Sequence, residues 1–200
     1  MWLNGYRSER SALRPGFSLL ETLLAMALGC VLMLAIAQVF PLLRQRTQIL
    51  SAHYQLDQLL RENVLLLSKE LQRAGGCFGR CQGRGLVFGH RSGEAANSCM
   101  IVAYDLNFNG VWEASGAAAE YFAYRLRQGV LETRRGRGDC QGHDWQALID
   151  PSEVQVAQLQ FSSRPVAAQR LIDIRLVAKA SRLPSVKREI LMRVATHNAL

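Results

Sequence analysis

The chain has 200 residues, enough for one ordinary domain or for a smaller domain with an anchor. Half of it is hydrophobic (49%), 20% is charged and the mean hydropathy is +0.01, which excludes a disordered chain. The net charge of +8 raises nucleic acid as a partner. The basic residues are scattered arginines, however, with one local cluster at Arg134, Arg135 and Arg137, and no basic helix or aromatic platform. A solvated surface is the better reading, and direct nucleic-acid binding is not expected.

The hydrophobicity is concentrated near the start. From Leu23 to Leu43 the only strongly polar side chain is Gln38, and a helix of this length crosses a bilayer. A cleaved secretory signal should end in a small-x-small site after a shorter core. Here the run is too long and ends in PLLRQR. Leu28-Gly29-Cys30 resembles the end of a lipobox, but position 27 is Ala and the chain stays apolar for thirteen residues beyond Cys30. An uncleaved helical anchor fits best. Arg7, Arg10 and Arg14 precede it, but Arg44 and Arg46 follow, so charge alone does not orient it.

Glu21 is the anomaly in this run, because a carboxylate at hydrocarbon depth costs several kcal/mol unless it has a partner. Past Pro41, expected to bend the helix, the apolar residues Leu56, Leu60, Val64, Leu67, Leu71 and Ala74 recur at steps of four and three, while Gln55, Asp57, Arg61, Glu62 and Lys69 fall largely elsewhere. Gly75-Gly76 supplies a stop. One helix from about Phe17 to Ala74 is predicted, apolar in its first half and amphipathic in its second.

Seven strands are predicted after it: 85–90, 99–105, 121–127, 130–135, 154–161, 171–178 and 186–196. Ile172, Ile174, Leu176 and Ala178 alternate with Asp173, Arg175 and Val177, as in a sheet covered on one face. Gln128-Gly129 reads as a hairpin turn. An α+β fold follows, with the long helix packed on an antiparallel sheet to bury both apolar faces.

Cys77, Cys81, Cys99 and Cys140 lie in the polar part and Cys30 in the span. An even set in an exported domain favours two disulfides, with three pairings open; Cys77–Cys81 with Cys99–Cys140 is preferred. A four-cysteine zinc site is the rival, which the spacing fits poorly. The segment from Asp105 through Asn107, Asn109 and Gly110 to Glu113 copies the opening of a calcium loop, D-x-N-x-N-G. Its twelfth position is Gly116, so the bidentate Glu is missing, and Glu113 at the ninth place is the substitute. An Asx-rich turn capped by its own side chains is the competing reading. No cofactor is expected, with Ca2+ on this loop the candidate exception. His53, His90, His143 and His197 are scattered, and Asp139, His143 and Asp144 lack a third ligand, so an enzyme is not expected.

The hexapeptide Gly16-Phe17-Ser18-Leu19-Leu20-Glu21 after a short basic leader resembles the type IV prepilin signal. The resemblance extends to LQRAGGCFGRCQGRGL, the D-x-N-x-N-G-x-W loop and VLETRRGRGDCQGHDW followed by DP, which are similar to the PilW-like minor pilins, relatives of the J-type minor pseudopilin of type II secretion. It implies cleavage by prepilin peptidase between Gly16 and Phe17, N-methylation of Phe17, and a pairing of Glu21 with the amino terminus of a neighbouring subunit. It also implies a pilin-like fold with a leader at 1–16, a transmembrane helix half at 17–43, an amphipathic half at 44–76 and a periplasmic β-rich domain at 77–200. The implied function is a minor pilin priming or capping a type IV pilus, with a type II secretion pseudopilin as the alternative. Its partners are then prepilin peptidase, other minor pilins, the major pilin and the inner membrane.

Overall fold

Residues 16–166, 169–196 and 198 are described in a computed structural model of the chain. Residues 1–15 of the expected leader and His197 lie outside them. The first element begins where a cap allows it. Ser18 Oγ accepts the Glu21 backbone N–H at 3.2 Å, and the Ser18 carbonyl accepts those of Glu21 and Thr22. Ser-x-x-Glu is the residue pattern of a capping box. Helix α1 therefore starts at Leu19, two residues later than expected, and runs to Arg73. It continues through Pro41, whose ring leaves the Ala37 carbonyl without its usual donor.

Two units meet between Thr47 and Gln48. In the first, residues 17–47 are exposed throughout, although Leu, Met, Val, Ile and Phe dominate them. In the second, the stripe Leu56, Leu60, Val64, Leu67, Leu71 and Ala74 is fully buried. The helix ends at two glycines. Gly75 has φ 77° and donates its N–H to the Ala103 carbonyl, while Asn198 Nδ2 donates to the last carbonyls, Arg73 and Ala74. A Cβ on Gly85 would stand 2.4 Å from the Gly75 Cα, so the chain passes itself here at backbone distance.

Among the described residues eight strands follow, in two antiparallel sheets rather than one. The first sheet orders β1 (Leu86–Gly89), β2 (Cys99–Ala103), β3 (Tyr121–Arg127), β4 (Val130–Arg135) and β5 (Gln146–Ala147) side by side. Gln128 and Gly129, at φ 48° and 82°, close the β3–β4 hairpin as the two central residues of a tight turn. The second sheet has β6 (Val154–Val166), β7 (Gln169–Ala180) and β8 (Lys187–Ala195) in sequence order. On β7, Ile172, Ile174, Leu176 and Ala178 all point inward. On β6 the inward set changes phase from Val154 and Val156 to Leu159 and Phe161, because the register shifts between Val156 and Gln158. Two backbone bonds tie the sheets, from Val156 N–H to the Gly129 carbonyl and from Phe161 N–H to the Asn97 carbonyl.

The stripe of α1 packs with Met100, Val102 and Leu131 of the first sheet and with Phe161, Ile174 and Leu176 of the second in one core. Burial of each such side chain is worth about 1.5–3 kcal/mol. Asp57 on α1 also meets β8, accepting from Arg188 at 2.8 Å and from Arg61 at 2.6 Å. Those hydrogen bonds, Arg61 first, hold its carboxyl below the usual range.

Candidate assembly and processing site

The N-terminal segment is built from local rules alone. Gly16 is exposed, with nothing within 4 Å of the position of a Cβ, and Phe17 is exposed beside it. The Ser18 cap then places Glu21 in the first turn of α1. Helix N-termini favour carboxylates, since their free N–H groups and aligned dipoles carry partial positive charge. Glu21 is the only charged residue between Phe17 and Leu43. Its carboxylate thus stands one turn from the position that a new amino terminus at Phe17 would occupy.

The four cysteines of the second unit are joined in pairs. Cys77–Cys81 has a Cα separation of 6.0 Å and Cys99–Cys140 of 6.1 Å, both ordinary for a disulfide. Cys30 is a free, exposed thiol on the apolar half of α1. The Cys77 and Cys81 sulfurs lie near the Asp105 carboxylate, but a disulfide offers no thiolate to a zinc ion.

Around Cys140 stands a cluster that sequence reading missed. Arg125 on β3 is 0% exposed, donates to Glu132 at 2.7 Å and to the Cys140 carbonyl at 2.8 Å, and lies 4.0 Å from the centre of the Trp145 ring. Arg134 lies 4.5 Å from the same ring and donates to the Asp139, Gln141 and His143 carbonyls. The segment 136–145 is thereby clamped by two guanidinium groups and a disulfide. Of the residues read as a surface cluster, Arg134 is buried and held by carbonyls, while Arg135 stays exposed and donates to the Ala119 carbonyl at 2.7 Å. Asp139 is bound in the clamp by Arg134 at 3.1 Å.

The D-x-N-x-N-G segment forms a tight loop. Asp105 accepts from the N–H groups of Phe78, Asn109 and Gly110, Asn107 Oδ1 from Asn109 N–H, and Asn109 Oδ1 from Val111 N–H. Burial pushes the Asp105 carboxyl up, but these backbone donors prevail and hold it below the usual range. Phe108 at φ 60° and Gly110 at φ 79° make the reversal. The amides of Asn107 and Asn109 donate to Glu113 Oε1. Glu113 is thus tied to the loop through the two asparagine amides, and the loop is also held by Glu120, which no spacing rule flagged: its Oε1 accepts from the Leu106 N–H at 2.6 Å and the Asn107 N–H at 3.2 Å.

A capped apolar helix opening with this hexapeptide and packed on antiparallel sheets defines the class, a type IV pilin-like protein. Residues 14–37 match the prokaryotic N-terminal methylation motif, and residues 49–196 match the family of prepilin peptidase-dependent protein B. The prepilin peptidase-dependent protein B of Escherichia coli (strain K12) is 34% identical over 153 residues, covering 76% of this chain and 79% of that protein. A type IV-like pilin from Thermus thermophilus superposes with a TM-score of 0.47 at 17% identity, over 70% of this chain and 96% of the other. The chain belongs to the prepilin peptidase-dependent protein B family. Membership and the methylation motif imply processing by prepilin peptidase.

Proposed function

We propose that this protein is a minor pilin, cleaved by prepilin peptidase between Gly16 and Phe17, methylated on Phe17, and incorporated into a type IV pilus whose assembly it primes or caps. The observation that carries this is Glu21, the one charge on an exposed, otherwise apolar half-helix, one turn from the cleavage point. Cleavage creates an α-amino group with an ordinary pKa of about 7.7–8.0, largely protonated at neutral pH. Among packed apolar helices that cation needs a carboxylate, and a neighbour's Glu21 meets the need. An unpaired partner is heavily penalised, so the pair also selects axial register. The anchored state is single-pass in the inner membrane with the second unit in the periplasm. Two disulfides there support that placement, since such bonds persist in oxidising compartments. The role at the start or end of the filament is supported by the resemblance to PilW-like minor pilins.

Intact-mass measurement in membranes with and without prepilin peptidase tests processing; the mature form should lack residues 1–16 and carry one added methyl group. Identical masses in the two strains would overturn the proposal. Glu21→Ala should still be cleaved but should lose cross-links to other minor pilins and lower surface pilus counts. Glu21→Gln should resemble it and Glu21→Asp should be intermediate. Wild-type piliation by Glu21→Ala would remove the pairing role while leaving processing intact.

A further inference from the structure

Gln38 is the one strongly polar side chain between Leu23 and Leu43, and the role of Glu21 does not account for it. Seventeen residues separate the two, which at 3.6 residues per turn sets them about 100° apart around the helix. Gln38 lies five residues inside the end of the apolar run at Leu43, about 7.5 Å along the axis. Helical side chains lean toward the N-terminus, so its carboxamide leans away from that end and deeper into the run. It is exposed and makes no hydrogen bond within the chain. Among the described residues of this half, only Thr22 and Thr47 donate from their side chains, to the Leu19 and Leu43 carbonyls. One residue before Gln38 stands the Ala37 carbonyl, whose usual donor Pro41 removes. An amide and an open carbonyl therefore share one level of a segment whose surroundings are hydrocarbon. Polar groups at that depth are costly unless a neighbouring helix satisfies them.

We infer that Gln38 pairs two copies of this chain side by side in the membrane, each carboxamide donating to and accepting from the other. The pairing rests on the proposed membrane span and goes beyond it. Two copies inserted the same way are parallel, and a two-fold axis along the membrane normal sets identical residues at equal depth. A carboxamide is its own complement there, because it carries both a donor and an acceptor. Neither a carboxylate nor an amine would be. The open Ala37 carbonyls lie within about 1.5 Å of that level along the axis and offer acceptors for the remaining N–H groups. Leu24, Ala27, Val31 and Leu34 precede Gln38 at alternating steps of three and four, and Gln45 repeats the amide seven residues on. All of them are exposed within the chain. This is the spacing of a seam between two helices, in which a polar residue at one position fixes register and the number of strands. Glu21 lies off the seam, so the membrane pair and the filament contact use different sides of one helix.

The test uses the full-length chain in membranes of cells lacking prepilin peptidase, where no amino terminus is created at Phe17 and the Glu21 contact cannot form. In a Cys30→Ala background, Val31→Cys should give a covalent homodimer on oxidation. Met33→Cys, about 140° around the helix from Gln38, should not. Adding Gln38→Leu should cut the Val31→Cys homodimer severalfold, and Gln38→Asn, which keeps a carboxamide, should retain most of it. Sedimentation equilibrium of the purified chain in detergent micelles should show Gln38→Leu raising the homodimer dissociation constant by roughly tenfold. An undiminished homodimer in Gln38→Leu, equal cross-linking from Met33→Cys, or a product whose mass is not twice that of the chain would each refute the pairing. These results leave the proposed function standing. Extraction of the chain by alkaline carbonate would instead remove the membrane span, and the pairing with it.

Discussion

The two disulfides should contribute unequally, and the difference follows from the chain lengths they close. Cys99–Cys140 spans 41 residues in sequence and Cys77–Cys81 spans 4. In the loop-closure treatment these lengths correspond to about 4 and about 2 kcal/mol at 25 °C. For a chain of this size each kcal/mol moves Tm by roughly 2–4 °C. The double variant Cys99→Ala/Cys140→Ala should thus melt about 8–16 °C below the parent, and Cys77→Ala/Cys81→Ala about 4–8 °C below. Alanine is the right replacement because Cys99 is fully buried and a serine there would add an unpaired hydroxyl. The Arg125 bond to the Cys140 carbonyl and the Arg134 contacts survive, which places the first loss toward the lower end of its range. Thermal melts of the full chain in detergent without reductant, with free thiols counted, measure both. A smaller loss for the Cys99–Cys140 pair than for Cys77–Cys81 would refute the reasoning.

Burial raises the Glu70 carboxyl above its ordinary value of 4.5, against the opposing hydrogen bond from Tyr104 at 3.1 Å. The folded chain then holds that proton to higher pH than the unfolded chain, so this group's contribution is most favourable below pH 4.5 and declines as pH rises through the raised value. Glu70→Gln, which still accepts from Tyr104, should gain Tm over wild type at pH 7.5 and lose that gain near pH 4 in paired melts. Gly129→Ala puts a Cβ 3.0 Å from Gln155 Cγ at φ 82° and should cost about 1–2 kcal/mol in urea unfolding. Leu60→Ala, at the buried face of α1, should cost about 2–5 kcal/mol in the same assay.

What could be read from the sequence was chemistry carried by neighbouring or periodic residues. The stripe Leu56 to Ala74 needs only the helical repeat, and Ile172 to Ala178 only the pleat, and both are buried as those repeats require. The turn at Gln128-Gly129 is a two-residue statement about positive φ. The division into two sheets depends on which strands meet across long sequence distances, which no local pattern encodes. Strand β5, two residues long and exposed, has no alternation to detect. Arg125 looked like any basic residue; its burial is set by Glu132, Cys140 and Trp145, which converge only after the strands pair. Glu120 was overlooked for a related reason, since its hold on the Leu106 and Asn107 N–H groups arises only when the loop folds back on itself.

Helix α1 joins two solvation problems in one element. From Leu56 onward its apolar residues, the exposed Leu65 apart, gather on one side, because only that side meets the sheets. From Phe17 to Leu43 apolar residues appear on all sides, and within the chain they stay exposed. A helix apolar all round is stable only where all its surroundings are apolar, first lipid and then, on our reading, the packed helices of a filament. Both environments supply hydrophobic contact without direction, so neither alone fixes how far one helix slides along another. Register needs a polar exception, and between Phe17 and Leu43 Glu21 is the only charge available. Its place in the first turn lets it serve lipid insertion too, because near the end of a span a carboxylate costs less than at the centre. On the proposed function, the same residue is tolerable in the membrane and sets register in the filament, which a charge placed farther along the helix could not do.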